Sequence, residues 1–211
     1  MNRTFWLFIL ALCVAGQANA QLYAGGSLGY GQTGVEDVNR YRSATFHIDQ
    51  STKSTAYAAF VGYRFKWLAI EGGMMKLPEY FARMDTTDYT AYLGKDIGIK
   101  TAYAEDTVRA NATYVRGNLY LSRGAWQPYV TAGIARVTSD QYTYGLYDGK
   151  TLGIANYHTA KNAGIYGFGV QYGRGNIFGR VEALRVPLAT ENPATGRRDV
   201  WMVMGSVGYT F

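Results

Sequence analysis

The feature that most constrains this chain is an alternation of apolar residues with period two, repeated in eight stretches between Leu22 and the last residue, Phe211. Successive side chains of a strand point to opposite faces of a sheet, so each stretch has one apolar face and one of different character. The plainest is "TYVRGNLYL", where Val115, Gly117, Leu119 and Leu121 alternate with Tyr114, Arg116, Asn118 and Tyr120. The terminal "WMVMGSVGYTF" sets Trp201, Val203, Gly205, Val207, Tyr209 and Phe211 on one side. The remaining six are "LYAGGSLGYG", "TAYAAFVGYRF", "WLAIEGGMM", "QPYVTAGIARV", "AGIYGFGVQY" and "NIFGRVEALRV". The 26 glycines and 19 tyrosines fit this reading. Glycine weakens helix interiors, and aromatic residues favour strands.

The connections are expected to be of two kinds. Three are short, near residues 65–67, 122–127 and 173–176; four are long, roughly 31–54, 76–107, 138–160 and 187–199. Because short and long alternate, all turns fall at one end of the sheet and all loops at the other. Aromatic residues mark both margins of the apolar face, with Tyr63, Phe65, Trp67, Tyr172, Tyr209 and Phe211 toward the turns and Tyr30, Tyr57, Tyr166 and Trp201 toward the loops. A ring with a polar tip suits the boundary between lipid and water. A secreted β-sandwich has alternating strands too, but no reason for this order of connections or for these margins. The predicted fold is all-β, an eight-stranded antiparallel up-and-down transmembrane β-barrel, which pairs every backbone group within lipid.

Residues 1–20, "MNRTFWLFILALCVAGQANA", have a basic start, an apolar core and a small-residue end, the pattern of a signal peptide cut before Gln21. The core is too short for a spanning helix. Leu12 before Cys13 speaks against a lipid-modified cysteine. Residues 21–211 are then a single domain, undivided by linker or charge run, and without cysteine they form no disulfide and no thiolate metal site.

The basic balance, 21 Lys and Arg against 15 Asp and Glu, does not point to nucleic acid. The excess lies in the strands and turns, seven basic side chains against two acidic, while the loops and their margins are neutral as a set. No basic patch interleaved with aromatics is present to track a phosphate chain. On the face opposite the apolar one fall Arg64, Glu71, Arg116, Arg180 and Glu182, with Asn118, Tyr120 and Gln171 as polar company. Side chains fill the interior of so small a barrel, so these charges are expected to form a paired luminal network. Structural filling is weighed here against a gated conduction path. Arg136 and Arg185 point outward by parity, near the loop end, where a basic side chain reaches lipid phosphates or stands clear of the membrane.

Motifs for chemistry are weak. His47 stands near Asp49 and Ser51 in the first expected loop, and His158 precedes Thr159 in the third. A triad is recognised by geometry rather than by nearness in sequence. Glycine clusters such as "GIYGFGVQYG" lie in a strand pattern with no helix following, so they are not a nucleotide loop. No catalytic residue, metal site or cofactor is expected.

Together with "FVGYRF", "AIEGG", "QPYVTAGIA", "GFGVQY", "GRVEALR" and "SVGYTF", the eight stretches resemble the OmpA-like outer-membrane β-barrel family, which includes small opacity-type and porin-like surface proteins. The resemblance implies a Gram-negative outer membrane with its lipid and lipopolysaccharide, insertion by the barrel assembly machinery, and both termini in the periplasm. It also implies loops that contact a host or phage surface, with luminal Arg and Glu pairs to which Glu71, Arg180 and Glu182 correspond. The ending at Val207, Tyr209 and Phe211 is similar to the signal read by the assembly machinery. Lipid A deacylases are also eight-stranded, but their histidine is followed two residues later by serine, where this chain has His158, Thr159, Ala160. The function expected is non-enzymatic, structural or adhesin-like, by a monomer with four extracellular loops, the stretch "YFARMDTTDYTAYLGKD" being the best contact region. A narrow solute pore and a lipid A-modifying enzyme are the alternatives.

Overall fold

The computed structural model describes residues 21–35, 46–51, 53–86, 102–147, 150–188 and 198–211. The expected signal peptide, residues 1–20, lies outside these residues, as do residues 87–96 of the expected contact region. The described residues form ten strands: β1 Gln21–Val35, β2 Phe46–Ser51, β3 Lys53–Arg64, β4 Leu68–Lys76, β5 Tyr80–Thr86, β6 Ala102–Tyr120, β7 Trp126–Tyr147, β8 Lys150–Arg174, β9 Ile177–Leu188 and β10 Arg198–Thr210.

Eight of them close a cylinder. The antiparallel ladder runs β1–β3–β4–β6–β7–β8–β9–β10 and returns to β1, where Ala24 opposes Tyr209 and Tyr30 opposes Val203. Each barrel strand thus finds both partners, and no backbone edge faces lipid. The other two strands lie above the rim: β5 continues β4 along β6, and β2 pairs with β5. Between β4 and β5 the chain steps out of the ladder at Leu77, Pro78 and Glu79. Lys76 pairs with Asn111 but Tyr80 with Val108, so three residues oppose two on β6. Proline has no N–H for a ladder, and a bulge is where a sheet accepts it. The neighbouring groups are met locally, Leu77 N donating to Ala110 O at 2.9 Å and Glu79 N to Ser54 Oγ at 2.6 Å.

Three of the long connections differ from the sequence expectation, the first because residues 46–51 within 31–54 form β2. Residues 138–147 and 150–160 are not loop but the continuation of β7 and β8, paired from Trp126↔Tyr172 up to Tyr147↔Lys150 with one irregularity at Gly145 and Leu146. His158 therefore sits on a strand, and so does His47, on β2. Within 76–107, residues 80–86 and 102–107 pair as β5 and β6.

Alternation along the strands sorts the side chains. Outward stand Leu28, Met74, Ile134, Phe168, Val181 and Val207, each at least 61% exposed, and the rest of this face is similarly apolar. Among the described residues no helix is long and apolar enough to cross a membrane. The aromatic margin at the turn end is built from contacting pairs: Tyr63 with Phe65, Trp126 with Tyr172 and Tyr209 with Phe211. The β8–β9 turn is tight because Gly175 takes a φ of 63°, a region that side chains disfavour.

Inside, large rings and glycines face each other across the ladder. Tyr23 opposes Gly62, Phe60 opposes Gly25, Tyr114 opposes Gly73 and Tyr129 opposes Gly169. A Cβ on Gly169 would lie 2.7 Å from the Tyr129 hydroxyl, so the missing side chain is what lets the ring lie against the wall. The interior is layered. Toward the loop end it is apolar, with Met75, Val137, Leu184, Val186, Val200 and Met202 all buried. Toward the turns it is charged.

Candidate luminal site

The charged layer begins with one pair directly across a ladder and one pair two residues apart on a single strand. Glu71 on β4 opposes Arg116 on β6, and Glu182 on β9 lies two residues beyond Arg180. All four side chains point inward because Ile70, Val115 and Val181, their neighbours in sequence, point outward. They meet in the middle of the barrel. Arg116 donates from Nε to Glu71 Oε1 at 2.9 Å and from Nη2 to Glu182 Oε1 at 3.1 Å. Arg180 Nη1 donates to Glu71 Oε2 at 2.7 Å, and its Nη2 stands 3.6 Å from Glu182 Oε1.

Two guanidinium groups and two carboxylates cancel in charge, and all four residues are at most 2% exposed. Neutral donors complete the shell. Tyr23 and Tyr114 hydroxyls donate to Glu71 at 3.1 and 3.2 Å, Tyr129 donates to Glu182 at 2.8 Å, and Asn118 Nδ2 reaches Glu71 Oε2 at 3.4 Å. Buried charge is tolerable only when paired and hydrogen-bonded in this manner. The Arg180 guanidinium also lies 4.4 Å from the centre of the Phe60 ring.

Nearer the turns, Tyr120 donates to Gln171 Oε1 at 3.0 Å, and Arg64 stacks 4.0 Å over Tyr120 while donating to Gln127 at 2.7 Å. Arg64 is thus at the mouth and is not joined to the four-charge cluster, although the sequence grouped it there. Around it, Gln21, Tyr23, Arg64, Tyr120, Gln171, Phe178 and Thr210 line a recess of about 10 Å³, room for one water. Tyr23, Tyr114 and Tyr129 were missed as members of the network. Strand parity puts these rings inside, but it does not show that their hydroxyls reach Glu71 and Glu182. Among the described residues no three histidine or acidic side chains gather as a metal site.

No model of a protein family matches the chain, and no curated protein matches it in sequence. Solved structures are similar in shape. Neisserial surface protein A (NspA) has 11% identity and a TM-score of 0.50, over 92% of this chain and 99% of that one. The N-terminal β-barrel domain of Pseudomonas aeruginosa OprF has 13% identity and a TM-score of 0.48, over 89% and 99%. Ail, the attachment invasion locus protein of Yersinia pestis, in complex with the heparin analogue sucrose octasulfate, has 12% and 0.45, over 90% and 99%. The chain has the fold of the eight-stranded outer-membrane β-barrels.

An outer-membrane barrel of eight strands has no room for an open channel once side chains fill it. Here the cluster and the apolar layer lie in series along the axis, because Met75 near the end of β4 and Leu77 just past it follow Glu71 toward the loops, and on β9 Leu184 and Val186 follow Glu182. On the outside of the barrel, Arg136 is exposed. Arg185 is half-buried, hydrogen-bonded through Nε to Asp199 at 3.0 Å and stacked near Trp201 and Tyr166. The histidine pair is elsewhere: His158 Nδ1 lies 2.7 Å from Asp140 Oδ1, both side chains about two-thirds exposed, on the outward face of the β7–β8 hairpin.

Proposed function

We propose that this chain is an integral protein of a bacterial outer membrane, neither an enzyme nor a pore, whose barrel is a sealed scaffold for a recognition surface above the membrane. Gln21 and Phe211 lie at the end with the short turns, which in this reading is the periplasmic end. The observation that carries this reading is the contrast between the two ends. At the turn end strands stop within a few residues, whereas at the other end β5, β6, β7 and β8 rise past the apolar belt as a paired sheet. Strands that extend beyond lipid hold their exposed side chains in fixed places, which favours binding over mere connection.

The outward face of that sheet carries Tyr142 and the Asp140–His158 pair, and Tyr157 is exposed on its other face, a mixture of rings and polar groups suited to contact with another surface. Its partner is a macromolecular surface, host or phage, met by a monomeric barrel. The test is to remove the sheet and keep the barrel. Ser139 and Thr159 are direct partners across the hairpin, so residues 140–158 can be replaced by an Asn-Gly turn without altering register below. The shortened protein should keep heat-modifiable gel mobility and lose adhesion of expressing cells to host cells or of phage to them. Unchanged adhesion across a host-cell and phage panel, for cells with and without the gene, would remove the recognition role.

A further inference from the structure

Several outward-facing cations stand at the loop-end margin of the apolar belt, and most are neutralised. Lys76 pairs with Glu79 at 2.7 Å, Arg109 lies 3.6 Å from the same carboxylate, and Arg185 is held by Asp199. Arg136 differs, being exposed on the outward face of β7 with no carboxylate partner among the described residues.

Its neighbours are specific. Directly across the ladder stand Thr113 on β6 and Asn162 on β8, both exposed on the same face. One step toward the turns lie Ile134, 72% exposed, Val115 and Gly164, where an added side chain would meet nothing within 4 Å. A row made of a hydroxyl, a guanidinium and a carboxamide therefore sits immediately above open apolar surface. Guanidinium is the side chain best matched to a phosphoryl group, giving two parallel charge-assisted hydrogen bonds.

We propose that Thr113, Arg136 and Asn162 form a site for the phosphoryl headgroup of an outer-leaflet lipid whose acyl chains lie along Ile134, Val115 and the open surface at Gly164. This rests on the membrane placement given above and adds a residue-level ligand to it. Charge complementarity selects an anionic headgroup, and the position at the edge of the belt selects a headgroup joined to hydrocarbon over free phosphate. The site lies at the foot of the β6–β7–β8 sheet and fixes the height at which that sheet leaves the membrane.

The test uses the mature chain refolded into nanodiscs that hold equal amounts of diphosphorylated and dephosphorylated lipid A, with the lipids retained after detergent exchange counted by native mass spectrometry. Wild type should retain the phosphorylated form preferentially, and Arg136→Gln should lower that preference about fivefold, the effect of one basic side chain at an anionic surface. Arg136→Lys should lose less, Arg123→Gln at the opposite end nothing, and inorganic phosphate at millimolar concentration should not compete. Equal preference in wild type and Arg136→Gln overturns the site, and competition by inorganic phosphate replaces the lipid by a free anion. A chain that enters none of these bilayers overturns instead the membrane placement. If Arg136→Gln does not fold, wild type decides alone: phenylglyoxal should modify Arg136 in bilayers of dephosphorylated lipid A and spare it in phosphorylated ones, and equal modification counts against the proposal.

Discussion

A charge such as Glu71 in the middle of a protein is stable only through what surrounds it, and here it accepts hydrogen bonds from two guanidinium groups, two tyrosine hydroxyls and one carboxamide. Removing it leaves Arg116 and Arg180 sharing Glu182 alone, so one positive charge stays buried without compensation. Breaking a buried pair in this way costs about 3–5 kcal/mol, whereas an exposed pair contributes about 0–1 kcal/mol. Glu71→Ala should therefore lower the urea midpoint of the refolded barrel far more than Asp140→Asn, which breaks only the exposed contact with His158. Tryptophan fluorescence in a urea series measures both, and similar midpoints for the two variants would mean that the cluster is no more than filling. Strand parity puts Glu71, Arg116, Arg180 and Glu182 on one face, and in the structure their side chains meet. It was not enough to separate Arg64 from them, because parity gives the face of a residue and not its height along the barrel.

Among the elements, the eight barrel strands were legible and the sheet above them was not, for one physical reason. The apolar alternation exists because one face of each strand meets lipid. Above the belt both faces meet water, so Ser139, Gln141, Thr159 and Lys161 carry no period that distinguishes a strand from a loop. The break at Pro78 has a sequence cue, since proline interrupts a ladder, but the resumption at Tyr80 has none. The last strand is legible for the opposite reason, with lipid outside and the packed lumen inside over its whole length. Its end is also a closing seam: Phe211 N donates to Leu22 O at 2.8 Å, and its ring packs on Tyr209. Deleting Phe211 removes that hydrogen bond, half of the aromatic pair and the aromatic side chain by which the strand's end resembles an assembly signal. The folded fraction in the outer membrane should fall, read as heat-modifiable mobility in whole membranes, while refolding of the same variant from urea into detergent should be affected less. Equal yields in membranes would remove the assembly role of Val207, Tyr209 and Phe211.

At the scale of the whole molecule, closure determines more than any single contact. Closing the ladder gives lipid an apolar wall and encloses an interior that has to be filled. This interior is filled by two different materials in series: a neutral four-charge cluster toward the turns and a dry layer of Met75, Leu184, Val186 and Met202 toward the loops. An ion crossing the barrel would have to displace paired guanidinium groups in the first and lose its hydration in the second. Each layer is a barrier by itself, so breaching one should leave the other in place. Planar bilayers holding wild type, Glu71→Ala or the pair Leu184→Ala with Met202→Ala should all be silent, and only the triple variant should pass current. A steady conductance from either partial variant would show that a single layer holds the seal, and a conducting wild type would return the narrow-pore reading in place of the sealed scaffold.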